Sequence, residues 1–187
     1  MKKKFFTGLF AVAMVLSLAA CGNSTAPEAA NEELAAVQTQ VQELQDKAAI
    51  RELVDEFSNL ADEKDADSQA LLFTEDAQVV ISFGGQENVI EGRDQIAQVF
   101  GGVVNSMDAL YHMNGQVSID LNGDTATGTV YCRVALINSA DGTATLTDEA
   151  VTYQDEYVKQ DGQWLISRRV SDFVFTDGHE MAAAPNE

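Results

Sequence analysis

Thiols and imidazoles, the side chains that most readily exchange protons or bind metals near neutral pH, occur only twice each in this sequence: Cys21 and Cys132, His112 and His179. Two cysteines cannot build a thiolate metal cluster, and Cys132 sits in an apolar-rich strand pattern where a thiol is packing material. His179 falls near the C-terminus and is expected to be solvated. His112 lies near a strand start, where an imidazole serves either as a proton-transfer group or as a hydrogen-bonded structural residue. Asp62, Glu63 and Asp65 crowd three carboxylates together, but the glycine and distal glutamate of a calcium loop are missing, so no metal is expected. Arg168 and Arg169 are neighbours on a predicted strand and therefore face opposite ways. At most one of them reaches an interior, and the other is an ion-pair partner on an acidic surface.

Cys21 belongs to a different setting. Lys2, Lys3 and Lys4 precede an apolar run from Phe5 to Leu18, which ends in Leu18-Ala19-Ala20-Cys21. These are the three regions of a secretory signal, and the run is too short for a comfortable membrane span. The ending resembles the lipobox of bacterial lipoproteins, which implies cleavage before Cys21 and its lipidation, and a place outside the cytoplasm on a cell membrane or outer membrane. A plain signal peptide with an incidental cysteine is the alternative. Loss of residues 1–20 removes three lysines and no acidic residue, so the formal net charge goes from −19 to −22. Such a surface repels polyphosphates, which argues against nucleic acid as a partner and leaves membrane contact to the lipid. It also leaves Cys132 without a disulfide partner within the chain.

Stepping along the mature chain, Gly22 to Asn31 reads as a flexible tether and Asn31 as a helix cap followed by Glu32 and Glu33. A helix is predicted from there to about Leu60. Its first part, residues 32–47, is a helical extension in which Leu34, Val37, Val41, Leu44 and Ala48 form a seam of two heptads, suited to its own domain or to a second copy. Its second part carries the wider stripe Ile50, Leu53, Val54, Phe57, Leu60 and Ala61. A short helix near Gln69 to Phe73, a strand from Gln78 to Phe83 with a return at Asn88 to Ile90, and a third helix from Arg93 to Ser106 follow. Asn122-Gly123, Asp141-Gly142 and Asp161-Gly162 then mark three hairpin turns between four long strands. Strands of this length accumulate twist and curl over the helices that cover them, which predicts an α+β fold with room for a cavity. Residues 177–187 are expected to be a disordered tail.

The segments Ala48 to Ser82, EGRDQIAQVF (Glu91 to Phe100), YHMNGQVSIDLNGDTATGTVYC (Tyr111 to Cys132) and DGQWLISRR (Asp161 to Arg169) resemble, in order and spacing, SnoaL-like domains of the nuclear transport factor 2-like superfamily. The resemblance runs over roughly residues 48–176. It implies a cystatin-like α+β roll: a curved antiparallel sheet wrapped around three helices, forming a cone with an apolar pocket, and commonly pairing into homodimers.

The dehydratase-like branch of that family pairs an Asp at the end of the first helix with a His on a strand facing the pocket, and Asp62 and His112 occupy the matching places. In this reading His112 moves a proton while Asp62 fixes its tautomer, giving a lyase or isomerase acting on a carbonyl compound. Phe57 stands where some of those enzymes carry a tyrosine, which removes a group for activating a carbonyl. That departure, the lipid anchor and the extended helix favour the other reading: an anchored lipoprotein whose cone binds a small apolar ligand or a protein partner. Phe57, Phe73, Tyr131, Tyr153, Trp164 and Arg168 are the expected pocket residues, with Trp164 also suited to packing the sheet onto the helices. No cofactor is implied.

Overall fold

The computed structural model describes residues 26–140 and 142–181; the leader and Cys21 lie outside the described residues. Chain contacts separate two units at Gln38/Thr39. The described part of the first is helical and belongs to α1 (Ala26–Asp62). The tether expected up to Asn31 is therefore helical from Ala26 onward. Pro27 is tolerated in a first turn, and Glu28, Ala29 and Ala30 are good helix formers, so the helix begins upstream of the expected Asn31 cap.

The second unit contains the remainder of α1 and everything after it. Ile50, Leu53, Val54, Phe57 and Ala61 return at steps of three and four residues and are all buried, whereas Val41 and Leu44 of the predicted seam are exposed. Lys64, with φ of 61°, turns the chain out of the helix. Asp65 then caps α2 (Ala66–Ala70): its carboxylate accepts from the Ser68 amide at 3.0 Å and the Ser68 hydroxyl at 2.8 Å. The short helix thus ends before Phe73, which opens a strand.

Six strands follow, interrupted by one helix: β1 (Phe73–Phe83), β2 (Gln86–Glu91), α3 (Arg93–Asn105), β3 (Ala109–Asn122), β4 (Thr125–Ala140), β5 (Thr143–Gln160) and β6 (Gln163–Glu180). Gly84 and Gly85 close the β1–β2 hairpin, both with positive φ, as do Asp161 and Gly162 between β5 and β6. The sheet order is β2-β1-β6-β5-β4-β3. Every pairing is antiparallel except β1 with β6, which run parallel, a pairing that a direct hairpin could not make. The curved sheet stays open. The tail expected at Asp177 starts later: Asp177 to Glu180 pair with Asp148 to Thr145, so the ladder carries β6 four residues further.

The core lies between this sheet and the helices. Phe57 meets Phe73, Phe100 and Tyr153 edge to face, with ring centres 5.9–6.0 Å apart; such contacts contribute about 0.5–1.5 kcal/mol each beyond burial. Embedded among them is an ion pair. Arg169 donates from Nε and Nη2 to the two oxygens of Asp155, both at 2.7 Å, and the Tyr157 hydroxyl donates to Asp155 at 2.8 Å. The guanidinium lies 4.1 Å from the Phe57 ring centre and 4.2 Å from that of Tyr153.

Candidate functional site

Asp62 is the last residue of α1, and His112 is the fourth residue of β3. Polar contacts fix that helix end against that strand. The Ser58 hydroxyl donates to Asn114 Oδ1 at 3.2 Å, and Asn114 Nδ2 donates to Asp55 at 3.0 Å, two positions along the strand from His112 and on the same face. The Asp62 carboxylate accepts the backbone N–H of His112 at 3.1 and 3.0 Å on its two oxygens, and His112 Nδ1 at 2.6 Å. A carboxylate held this way places the proton on Nδ1 and leaves Nε2 bare. The His112 side chain is nearly buried, at 9% exposure, against 27% for Asp62.

His112 borders a cavity of about 150 Å³ whose walls are largely apolar: Phe57, Phe100, Val134, Leu136 and Phe173 among them. Its polar residues are Gln69, His112, Glu149, Tyr153 and Ser171. Burial raises the Glu149 carboxyl above its usual range, against a hydrogen bond from the Thr176 hydroxyl that lowers it. Burial likewise raises the Tyr153 phenol and pushes the Cys132 thiol up to about 11. An imidazole with a bare nitrogen in an apolar enclosure can accept a proton from a bound molecule and return it elsewhere on the same molecule.

The structure brings His112, Phe57 and Tyr153 to this cavity, and Asp62 to the Nδ1 side of His112 without bordering the space. It places the other expected pocket residues elsewhere. Phe73 packs behind Phe57 in the core without bordering the space. Tyr131 is 53% exposed, because Val130, Cys132 and Val134 take the inward positions of β4. Trp164 is buried, but its Nε1 donates to Asp46 of α1 at 2.9 Å, a structural tie shared with Lys159. Arg168 faces outward, with Glu156 at 3.6 Å, and Arg169 takes the interior position. Gln69, Glu149 and Ser171 escaped the sequence reading. For Glu149 a signal existed, since Glu149, Val151, Tyr153 and Tyr157 share one face of β5.

A profile of the SnoaL-like domain family matches residues 42–170. The chain belongs to that family. Uncharacterized proteins of Mycobacterium bovis and Mycobacterium tuberculosis are 30% identical to it over 137 residues, 72% of this chain and 90% of theirs. A solved nuclear transport factor 2-like protein with a cystatin-like fold from Novosphingobium aromaticivorans superposes with a TM-score of 0.62 at 24% identity, covering 74% of this chain and 88% of its own. A hexachlorocyclohexane dehydrochlorinase from Novosphingobium barchaimii does so with a TM-score of 0.63 at 18% identity, covering 78% and 96%. The SnoaL-like domain here thus has solved fold neighbours that match almost from end to end.

Proposed function

We propose that the SnoaL-like domain acts on a small apolar molecule held in the cavity, with His112 Nε2 removing a proton and Asp62 holding the ring and balancing its charge as it becomes imidazolium. The 2.6 Å contact between Nδ1 and Asp62, at the wall of an apolar cavity, carries this reading. Abstraction of a proton from carbon followed by elimination or double-bond movement is the reaction class; the fold neighbour named as a dehydrochlorinase belongs to the same class. Phe57 favours a second reading, because it offers no hydroxyl to polarise a carbonyl: a pocket that binds its ligand without turnover. The domain is further proposed to work outside the cytoplasm as a lipid-anchored protein, on the strength of the Leu18 to Cys21 ending.

Nitrobenzisoxazole tests the acid–base reading without knowledge of the natural substrate. A base takes its ring C–H proton, the N–O bond breaks, and a coloured cyanophenolate forms. The wild-type chain should open it, and His112→Ala should slow the reaction at least about a hundred-fold, the lower end of general-base contributions. Equal rates for His112→Ala and wild type would remove the acid–base reading and leave the binding one.

A further inference from the structure

Glu149 is out of keeping with its neighbours on the cavity wall. The inward positions of β4 and β5 around it are filled by Cys132, Val134 and Val151, all buried, and packing alone would be met there by a leucine. A carboxyl in the same place gives up hydration. Among the described residues no lysine, arginine or histidine lies within ion-pair distance of it. Its hydrogen bond is a long one, 3.4 Å from the Thr176 hydroxyl. Asp148, next in the strand, faces the other way and engages Arg133. Burial without a cation favours the neutral acid, which is why the Glu149 carboxyl titrates above its usual range.

Strand register puts His112, Val134 and Glu149 in one row across β3, β4 and β5, hence on one face of the sheet. Two inter-strand steps separate His112 from Glu149, about 10 Å between their Cα atoms, with buried Val134 as an apolar floor between them. The ionisable side chains on the cavity wall are these two and Tyr153, whose phenol burial raises. Helix α3 faces the space with apolar side chains alone, and Asp62 stands behind His112 on its Nδ1 side. The two ends of the row are therefore chemically opposite. His112 Nε2 has a lone pair that takes a proton, whereas a Glu149 kept neutral has a proton to give.

We propose that Glu149 is the acid of this cavity, giving its proton to the oxygen that leaves a molecule from which His112 takes one. The proposal rests on the acid–base reading and adds to it a second catalytic residue and a class of substrate, an apolar alcohol with an acidic C–H on the carbon beside the one that bears the hydroxyl. The C–H bond breaks toward Nε2 and its electron pair becomes the new double bond. The C–O bond breaks with it, and the oxygen takes the Glu149 proton and departs as water. Turnover leaves an imidazolium and a carboxylate. Glu149 is only partly buried, so it regains a proton from solvent while His112 loses one, and no net proton is consumed.

Two probes that differ in their leaving oxygen decide it. Opening of nitrobenzisoxazole releases a nitro-stabilised phenolate that departs without a proton, whereas unsubstituted benzisoxazole releases a more basic one that gains from protonation. In the full-length chain, Glu149→Gln and Glu149→Leu should each lower kcat/KM for benzisoxazole at least about ten-fold more than for nitrobenzisoxazole, against the roughly hundred-fold contribution of a fully engaged acid. A role confined to structure would lower both rates alike. Leucine suits the apolar wall, so that variant decides if Glu149→Gln does not fold. The wild-type rate on benzisoxazole should rise and then fall with pH, and both variants should keep the rise and lose the fall. Equal losses on the two probes, no loss on either, a fall retained without Glu149, or a wild type that opens only nitrobenzisoxazole would overturn the proposal. Any of these results alongside His112-dependent opening of nitrobenzisoxazole sinks the Glu149 proposal alone; opening that does not depend on His112 removes the acid–base reading with it.

Discussion

Removing one half of the Asp155–Arg169 pair should cost more stability than removing both halves costs per charge. Both side chains are buried, at 0% and 1% exposure, so Arg169→Met leaves a carboxylate in the core with only the Tyr157 hydroxyl to meet it. Stranding one member of a buried pair typically costs about 3–5 kcal/mol. For a domain of this size each kcal/mol moves Tm by about 2–4 °C, so a fall of roughly 6–20 °C is expected. Asp155→Leu combined with Arg169→Met removes both charges and replaces them with apolar volume. The double variant still forfeits the guanidinium stacking on Phe57 and Tyr153 and leaves the Tyr157 hydroxyl without its acceptor, a penalty of about 1–3 kcal/mol. It should nevertheless lie above the sum of the two single losses by about 0.5–3 kcal/mol. Urea unfolding of the four proteins, followed by circular dichroism, measures the cycle. Strict additivity, or a neutral Arg169→Met, would refute the premise that the pair is a desolvated unit.

Asp46 is subject to burial, which raises its carboxyl, but hydrogen bonds from Lys159, Trp164 and Gln42 outweigh it and hold the carboxyl below its ordinary value. A depressed carboxylate stabilises the fold above its unfolded pKa, near ~3.9, and that contribution is lost as pH falls through the lower folded value. Thermal melts should therefore show Asp46→Asn less stable than wild type at neutral pH, with the gap closing below about pH 4. Cys132, buried and with its thiol pushed up to about 11, should not react with thiol reagents at pH 8 until the protein is unfolded; rapid labelling of the native chain would contradict its placement. Cys21→Ala should move the expressed protein from the membrane fraction to the soluble one, and unchanged fractionation would point to another anchor.

Periodicity and turn chemistry made most of the fold legible. The stripe from Ile50 to Ala61 and the three Asx-Gly turns are local signals, and each element they imply lies within a few residues of its observed bounds. The parallel union of β1 with β6 had no such signal, because it joins segments about ninety residues apart. At the site, Asp62 and His112 were reachable by resemblance, whereas facing was not. Choosing between Arg168 and Arg169, or placing Tyr131 outside, needs the parity of strands whose ladders carry bulges, with the extra residues between Asn114 and Val117 in β3 and at Ser167 and Val174 in β6. Each bulge adds a residue and reverses the alternation beyond it. Gln69 was invisible for another reason: it earns its position through the carbonyl of a residue twelve positions earlier.

The place of β6 in the middle of the sheet has a consequence for how the protein can be made. Its partners on the two sides are β1, near the beginning of the sheet, and β5, its immediate predecessor. Until the last strand emerges from the ribosome, β1 and β2 form an isolated hairpin with nothing to join, and Phe73, Val79 and Val80 lack the neighbour that buries them. A nascent chain therefore keeps an incomplete sheet until β6 itself has been made. Truncation before Gln163 would split the sheet into two fragments instead of trimming an edge.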